Sequence, residues 1–585
     1  FMPASGTPKK YVEGLGMVQN VIATQFGKET TINNDFRIEW TKNYGKHQWD
    51  VFGGFRMASY GYSDSFSEGY NNGNDKTPNI SYRLDYLGNG GVNDRWVNLA
   101  YYANVDYNFL NRYFVKLIAS AESSSRFGKE AENGVKLGGV KWGIFPSLQA
   151  GWVMSNEKWF NVSFIDYARL TAGYEMSGND DLDYYATRTY FQNIKFLDRA
   201  TALELANIAN PKIQWETTHR LNAGLQLNMF RNRLALGVDV FRSVTTDLLT
   251  RRTVSDITGL SRQWTNEGEL RNTGASVNVN AVLVNTKDFK WNLGFSVAHY
   301  KNELTKLPLT ENNVIRTFAL DEKAQKVASS EKVLSGYTSS IYGKDNILTA
   351  VGEAAGVFYG YKTAGVFSTT AEAKAAGLKY PTGLSSQPSR DFKAGDVHFV
   401  DQNGDGWINE ADRVKIGDPN PDLYGNIFTT LTYKRFTLDV NFKYSLGNDI
   451  YNYQRMQLES ANNIWNQTTA VVNRWRTEGQ KTNQPRTMSS ESLNWVNNER
   501  FSDRWIEDGS FLKLKRVRLT YELPVSLSWL QGFSVWGEAN NVVTLTKYLG
   551  SDPEVTAGNG VLYQGIDSGM LMQNRSFNLG LTINL

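Results

Sequence analysis

The sequence predicts an all-β protein, built as a transmembrane wall of antiparallel strands. Three observations lead there. Aromatic residues form 13% of the 585 residues (30 Tyr, 30 Phe, 16 Trp), beside 51 Gly and no Cys, yet hydrophobic residues reach only 41%. No apolar run approaches the roughly 18–20 residues of a membrane-crossing helix. Several segments instead alternate apolar and polar residues over about ten positions, the length of a tilted membrane-crossing strand and about twice that of an average soluble one. A half-buried sheet in a soluble sandwich also alternates, so periodicity alone leaves both readings open. Strand length and the pattern of connections favour the wall.

The first clear hairpin is LNAGLQLNMFRNRLALGVDVF, residues 221–241. With Arg231-Asn232 as a two-residue turn, Met229 faces Leu234, Leu227 faces Leu236, Leu225 faces Val238 and Ala223 faces Val240. Every pair on that face is apolar, while the other face pairs Asn228 with Ala235, Gln226 with Gly237 and Gly224 with Asp239. One register satisfies both strands, and a slip of one residue would turn every side chain to the wrong face. A second hairpin turns at Lys434-Arg435, placing Leu431 opposite Leu438 and Ile427 opposite Phe442, with Asp439, Asn441 and Lys443 on the other face. The closing segment alternates Phe577, Leu579, Leu581, Ile583 and Leu585 with Ser576, Asn578, Gly580, Thr582 and Asn584.

Tight turns alternate with long polar segments at 177–215, 303–420 and 447–510. Short turns at one rim and long loops at the other characterise outer-membrane barrels. Long insertions without structure are otherwise uncommon in compact domains. A net charge of +3 over this length argues against a nucleic-acid binder that works by phosphate neutralisation. The lack of Cys excludes disulfides, thiolate metal sites and cysteine nucleophiles. The four histidines, His47, His219, His299 and His398, are scattered, and no metalloprotease, nucleophile-elbow or phosphate-loop motif is present. No catalytic site is assigned, and His219 reads as a residue of an aqueous rim. Loop aromatics such as Trp407, Trp465, Trp475 and Trp495 are candidates for stacking on a ligand, against a more ordinary role in packing.

One motif carries explicit chemistry. VDQNGDGWINEAD, residues 400–412, spells a calcium-type loop. Asp401, Asn403 and Asp405 take the first, third and fifth positions, Gly406 the sharp turn, Trp407 the backbone-carbonyl position and Asp412 the twelfth. Hard oxygen donors at alternate positions can wrap one Ca2+ ion at about 2.3–2.6 Å. The same Asx and Gly residues can also make consecutive turns without metal.

An ordered series of segments carries a family resemblance: SSSRFG (123–128), WGIFPSLQAGW (142–152), GYEMSGND (173–180), the hairpin at 215–249, GVFYGYKTAGVF (356–367), GDVHFVDQNGDGWINEADRVKIGDPNPDLYGN (395–426), GNDIYN (447–452), RWIEDGSFLKLKRVRLTYELP (504–524) and NNVVTLTKYLGSDPE (540–554). The chain resembles the C-terminal part of a SusC/RagA-type TonB-dependent outer-membrane transporter. The resemblance implies a portion of a 22-stranded barrel in the outer membrane of a Gram-negative bacterium. It implies a SusD-like surface lipoprotein as a lid, TonB as energy coupler, and import of oligosaccharides or oligopeptides. Signal peptide, TonB box and plug motifs are not found, so the chain, 1–585, is expected to pair with a plug and first strands outside it, because an open wall cannot stand in lipid. The segment 303–420 is expected to be an extracellular loop region holding the calcium-type loop at 401–412. The competing readings are a secreted carbohydrate-binding or adhesion protein and a β-rich glycoside hydrolase.

Overall fold

The computed structural model describes residues 10–12, 16–18, 20–71, 76, 79–80, 86–196, 200–254, 260, 262–308, 314–319, 330–385, 387–462, 466–489, 492, 495–524, 532–554 and 556–584. Trp465 and Leu585 lie outside them. The chain divides into two compact units. The first comprises residues 1–152, 173–220 and 245–268, and the second residues 153–172, 221–244 and 269–585.

In the first unit, strands β1 (Val21–Tyr44), β2 (His47–Tyr70), β3 (Tyr86–Phe109), β4 (Tyr113–Ser124) and β5 (Val140–Val153) pair in chain order, each antiparallel to the next. Three strands pass through both units: β6 (Ile165–Asn179), β7 (Glu216–Met229) and β8 (Leu234–Thr246). In the second unit the ladder continues from β8 through β9 (Glu269–Asn285), β10 (Phe289–Lys306), β11 (Leu423–Tyr433), β12 (Phe436–Leu446), β13 (Phe511–Leu523), β14 (Gly532–Thr546) and β15 (Ser576–Asn584). From β9 onward every pair is antiparallel.

The expected registers hold. Leu431 pairs with Leu438 and Ile427 with Phe442 across a turn in which Lys434 has φ 53°. Thr218 and Thr245 hydrogen-bond at 2.9 Å, as the 229–234 pairing requires. Phe230, Arg231 and Asn232 all take positive φ (57°, 61° and 58°), the left-handed backbone that a tight hairpin turn requires.

Cross-strand rows reveal two faces, because opposed residues in a ladder point the same way. One row reads Val279, Phe295, Ile427, Phe442, Leu514, and another on the same face reads Trp291, Leu431, Leu438, Leu519, Gly537, Leu579. The intervening row reads Asn292, Thr430, Asp439, Arg518, Glu538, Asn578. A wall apolar on one side and charged on the other suits lipid outside and hydrated lumen inside. Leu579, Leu581 and Ile583 are exposed, as lipid-facing residues must be. Glycine also shapes the wall: a Cβ on Gly224 would stand 2.6 Å from Asp239 Oδ1, so a larger residue there would make the Asp239 side chain move aside.

Two expectations need correction. The strands exceed ten residues, reaching 24 in β1, β2 and β3 and 18 in β10, because they continue past the apolar band at the long-loop end. The segment 303–420 is also not an unstructured insertion. Residues Val314–Ala319, Ser330–Ser339, Ile347–Ala350, Val357–Tyr361 and Arg413–Gly417 form a five-stranded sheet. A short helix, α1 (Thr370–Ala376), starts with a Thr369–Glu372 capping box and stops at left-handed Gly377. These loops carry cores of their own, with Tyr361, Phe367, Phe392, Val397, Phe399, Ile408 and Val496 in one cluster and Ile347, Phe358, Tyr451, Phe501, Trp505 and Ile566 in another.

Candidate functional site

The calcium-type loop sits directly on the first of those cores. Ile408 is buried in it, which fixes Trp407 and Asn409 on either side. Backbone N–H groups of the loop are capped by its own side chains. Asp401 accepts from Gly404 and Gly406, both at 2.7 Å, Asn403 from Asp405 at 3.1 Å, and Asp405 from Trp407 at 2.7 Å. Asp412 accepts from Gln402 at 2.8 Å and Asn409 at 2.7 Å. Asp412 is fully buried, and burial, opposed by those hydrogen bonds and reinforced by the charges of Asp401 and Asp405, pushes its carboxyl up to about 6. Beside it the Gln402 amide is buried with both polar atoms unpartnered. The donors are all hard oxygens, the chemistry that calcium takes. Among the described residues, however, no three His, Asp or Glu side chains converge as a ready-made shell.

Of the loop aromatics named from sequence, three are described, and each is held by its neighbours. The Trp475 indole donates to the Ser368 carbonyl at 3.0 Å and its ring lies against Gly395. Trp495 meets Tyr380 edge-on at 6.2 Å. Trp407 lies 5.7 Å from the Lys379 ammonium. His219 is the fourth residue of β7, bonded to the Tyr174 hydroxyl at 2.8 Å. Next to the calcium-type loop, Arg500 is enclosed by the rings of Tyr361, Tyr380, Phe392 and Phe399, and donates to the Ile408 carbonyl at 3.2 Å. Burial lowers its pKa.

A second site, in the first unit, was not visible in the sequence. A hollow of about 1070 Å³ is lined by Asp94, Arg126, Asp183, Tyr184, Arg251 and Trp264, among others. Asp94 shares strand parity with Asn104 and Asp106, so the hollow opens on the polar face. Arg126 lies 5.0 Å from the Trp96 and Tyr184 rings, with its Nε buried and unpartnered. Arg251 pairs with Asp183 at 2.6 Å and stacks on Trp264 at 4.5 Å. Tyr184 in turn stacks on Tyr60 at 6.4 Å. Rings beside fixed donors and acceptors form a surface that can hold a large polar ligand. The stretch DDLDYY (180–185), immediately after β6, was the available signal: acids and aromatics interleaved at the mouth of a long loop.

A family model described as "TonB dependent receptor-like, beta-barrel" matches residues 5–380. The chain belongs to this family. It is therefore a TonB-dependent receptor barrel of the outer membrane. Among its relatives, TonB-dependent receptor P3 of Formosa agariphila is 28% identical over 98% of this chain and 54% of that protein. TonB-dependent receptor SusC of Bacteroides thetaiotaomicron is 25% identical over 93% of this chain and 49% of that protein. A solved structure of the RagAB peptide transporter matches with a TM-score of 0.72 at 19% identity, over 96% of this chain and 56% of that one. The chain thus spans about half the length of the receptors it matches.

Proposed function

We propose that this receptor wall belongs to a SusC/RagA-type importer, which carries oligosaccharides or oligopeptides across the outer membrane. In this reading the barrel works under a SusD-like lipoprotein lid, and TonB acts through a segment outside this chain. The observation that carries the reading is the hollow on the polar face at the long-loop end of the first unit, where Tyr184, Trp264, Arg126 and Asp183 face a space suited to an oligomeric ligand. It opens toward the lumen, where a ligand released from the lid would enter. The chemistry is binding and passage, not turnover.

The calcium-type loop completes the reading as a structural device. One Ca2+ held by Asp401, Asn403, Asp405, Asp412 and the Trp407 carbonyl would neutralise acids crowded over a buried apolar core, and so stiffen a loop beneath the lid. The spacing of the donors and the burial of Asp412 support it.

Deletion of the gene in its native host tests the import reading. Growth on the cognate glycan or peptide should be lost, and restored by the parent but less well by Tyr184→Ala with Trp264→Ala. Undiminished growth of the deletion strain on every oligosaccharide and peptide source that its parent uses would overturn it.

A further inference from the structure

The second unit carries a hollow on the opposite, apolar face, which import does not use. Its floor is set at Gly425, where a Cβ would stand 1.9 Å from the Ser296 carbonyl oxygen, so only glycine allows the approach. Tyr444, opposite Gly425 in the ladder, lies over this position, its hydroxyl donating to the same Ser296 carbonyl at 2.8 Å. Its ring stacks on Phe295 at 6.1 Å with 6° between the planes. Leu423, Leu446, Leu512 and Leu545 wall a space of about 720 Å³. At the long-loop end the apolar lining stops at Asp508, Ser510 and Lys547. Asp508 accepts from the Ser510 backbone N–H at 2.9 Å and feels the charge of Lys547, which is exposed and has no carboxylate within salt-bridge distance among the described residues.

We propose that this hollow holds an acyl chain of a phosphorylated, multiply acylated glycolipid of the outer leaflet, with a headgroup phosphate against Lys547. The hollow is continuous with the lipid-facing rows of the wall, so hydrocarbon is the medium it meets. Its place at the long-loop end selects the outer leaflet. The change from leucine lining to Ser510 and Lys547 matches the boundary between acyl chains and headgroups, where an exposed ammonium attracts anionic lipid.

The test uses the full-length protein in phosphatidylethanolamine nanodiscs containing diphosphorylated lipid A or its dephosphorylated form. Native mass spectrometry counts the lipid retained after a detergent wash, and heat-modifiable gel mobility verifies folding. The parent should retain about one lipid A per barrel. Leu545→Trp, which fills the hollow, should cut retention about tenfold, while Leu519→Trp, on the same face outside it, should not. Lys547→Glu should weaken retention of the diphosphorylated form only. Retention in Leu545→Trp equal to the parent, or phosphatidylethanolamine held as firmly as lipid A, would overturn the proposal.

Discussion

Asp405 and Glu499 are the residues at which the loop chemistry can be interrogated singly. If calcium stiffens the loop, a chelator removes a ligand that binds only the folded state, and a site saturated a hundredfold above its dissociation constant contributes about 2.7 kcal/mol. The parent's thermal midpoint should therefore fall by several degrees in chelator, and that of Asp405→Ala should not move. A parent indifferent to chelator sinks the calcium reading. Glu499 offers a separate handle. Burial, only partly offset by a hydrogen bond from Asn462, raises its carboxyl to about 7. The folded loop thus holds this proton more tightly than the open one, so its stability is greatest below the ordinary glutamate range and is lost as pH rises through about 7. Discounted for partial exposure, local opening around residues 495–502 should become about tenfold easier between pH 5 and pH 8, read by hydrogen exchange corrected for its intrinsic rate. Glu499→Gln should flatten that dependence, and a slope that survives the substitution would assign it to another group.

At the scale of a strand, the two faces of β12 make opposite predictions one residue apart. Val440 belongs to the apolar set and Asn441 to the polar set. An arginine at a lipid-facing position near mid-bilayer costs about 2–4 kcal/mol, whereas a lumen-facing one is hydrated. Val440→Arg should accordingly unfold at markedly lower denaturant than the parent, with Asn441→Arg close to it. Equal effects would mean the faces are misassigned. The same contrast explains what the sequence made legible. The hairpins at 229–234 and 433–436 and the strand Ser576–Asn584 each separate two solvents, so their alternation is written locally. The sheet at 314–361 with 413–417, by contrast, is stabilised by residues far apart in the chain, such as Phe358 against Tyr451, Phe501 and Ile566. No local period announces it, and it read as loop.

For the whole molecule, half of the candidate chemistry was readable. The calcium-type spacing is a local motif. The hollow of the first unit draws Asp94, Arg126, Asp183 and Trp264 from four separate stretches, which only the fold brings together. Trp475 and Trp495, plausible ligand platforms by sequence, are packed in the loops that they brace. Assembly is the test at this scale. If the import reading is right, the receptor purified from its host in mild detergent should bring a SusD-like lipoprotein with it in near-equal amount. Its consistent absence, with the barrel intact, would count against a lid.

The outward face of β1 to β3 changes character part-way up. Phe36, Phe55 and Tyr101 lie in one outward row, and Ile32, Ser59 and Val97 in a row higher up, but further on come Lys28, Ser63 and Asn93, then Phe26, Ser65 and Gly91. A tilted strand needs only about 9–11 residues to cross lipid, and these have 24. The upper dozen rungs therefore form a palisade rising about 30 Å clear of the bilayer, at roughly 3.3 Å per residue and a 45° tilt. If the long-loop end is the extracellular one, this ribbon is the part of the wall that stands in water outside the cell. Because the chain has no cysteine, one introduced thiol can measure the height. Ser65→Cys should react with a membrane-impermeant maleimide on intact cells, and Phe55→Cys should stay shielded by lipid; labelling at Phe55 would lower the palisade into the membrane.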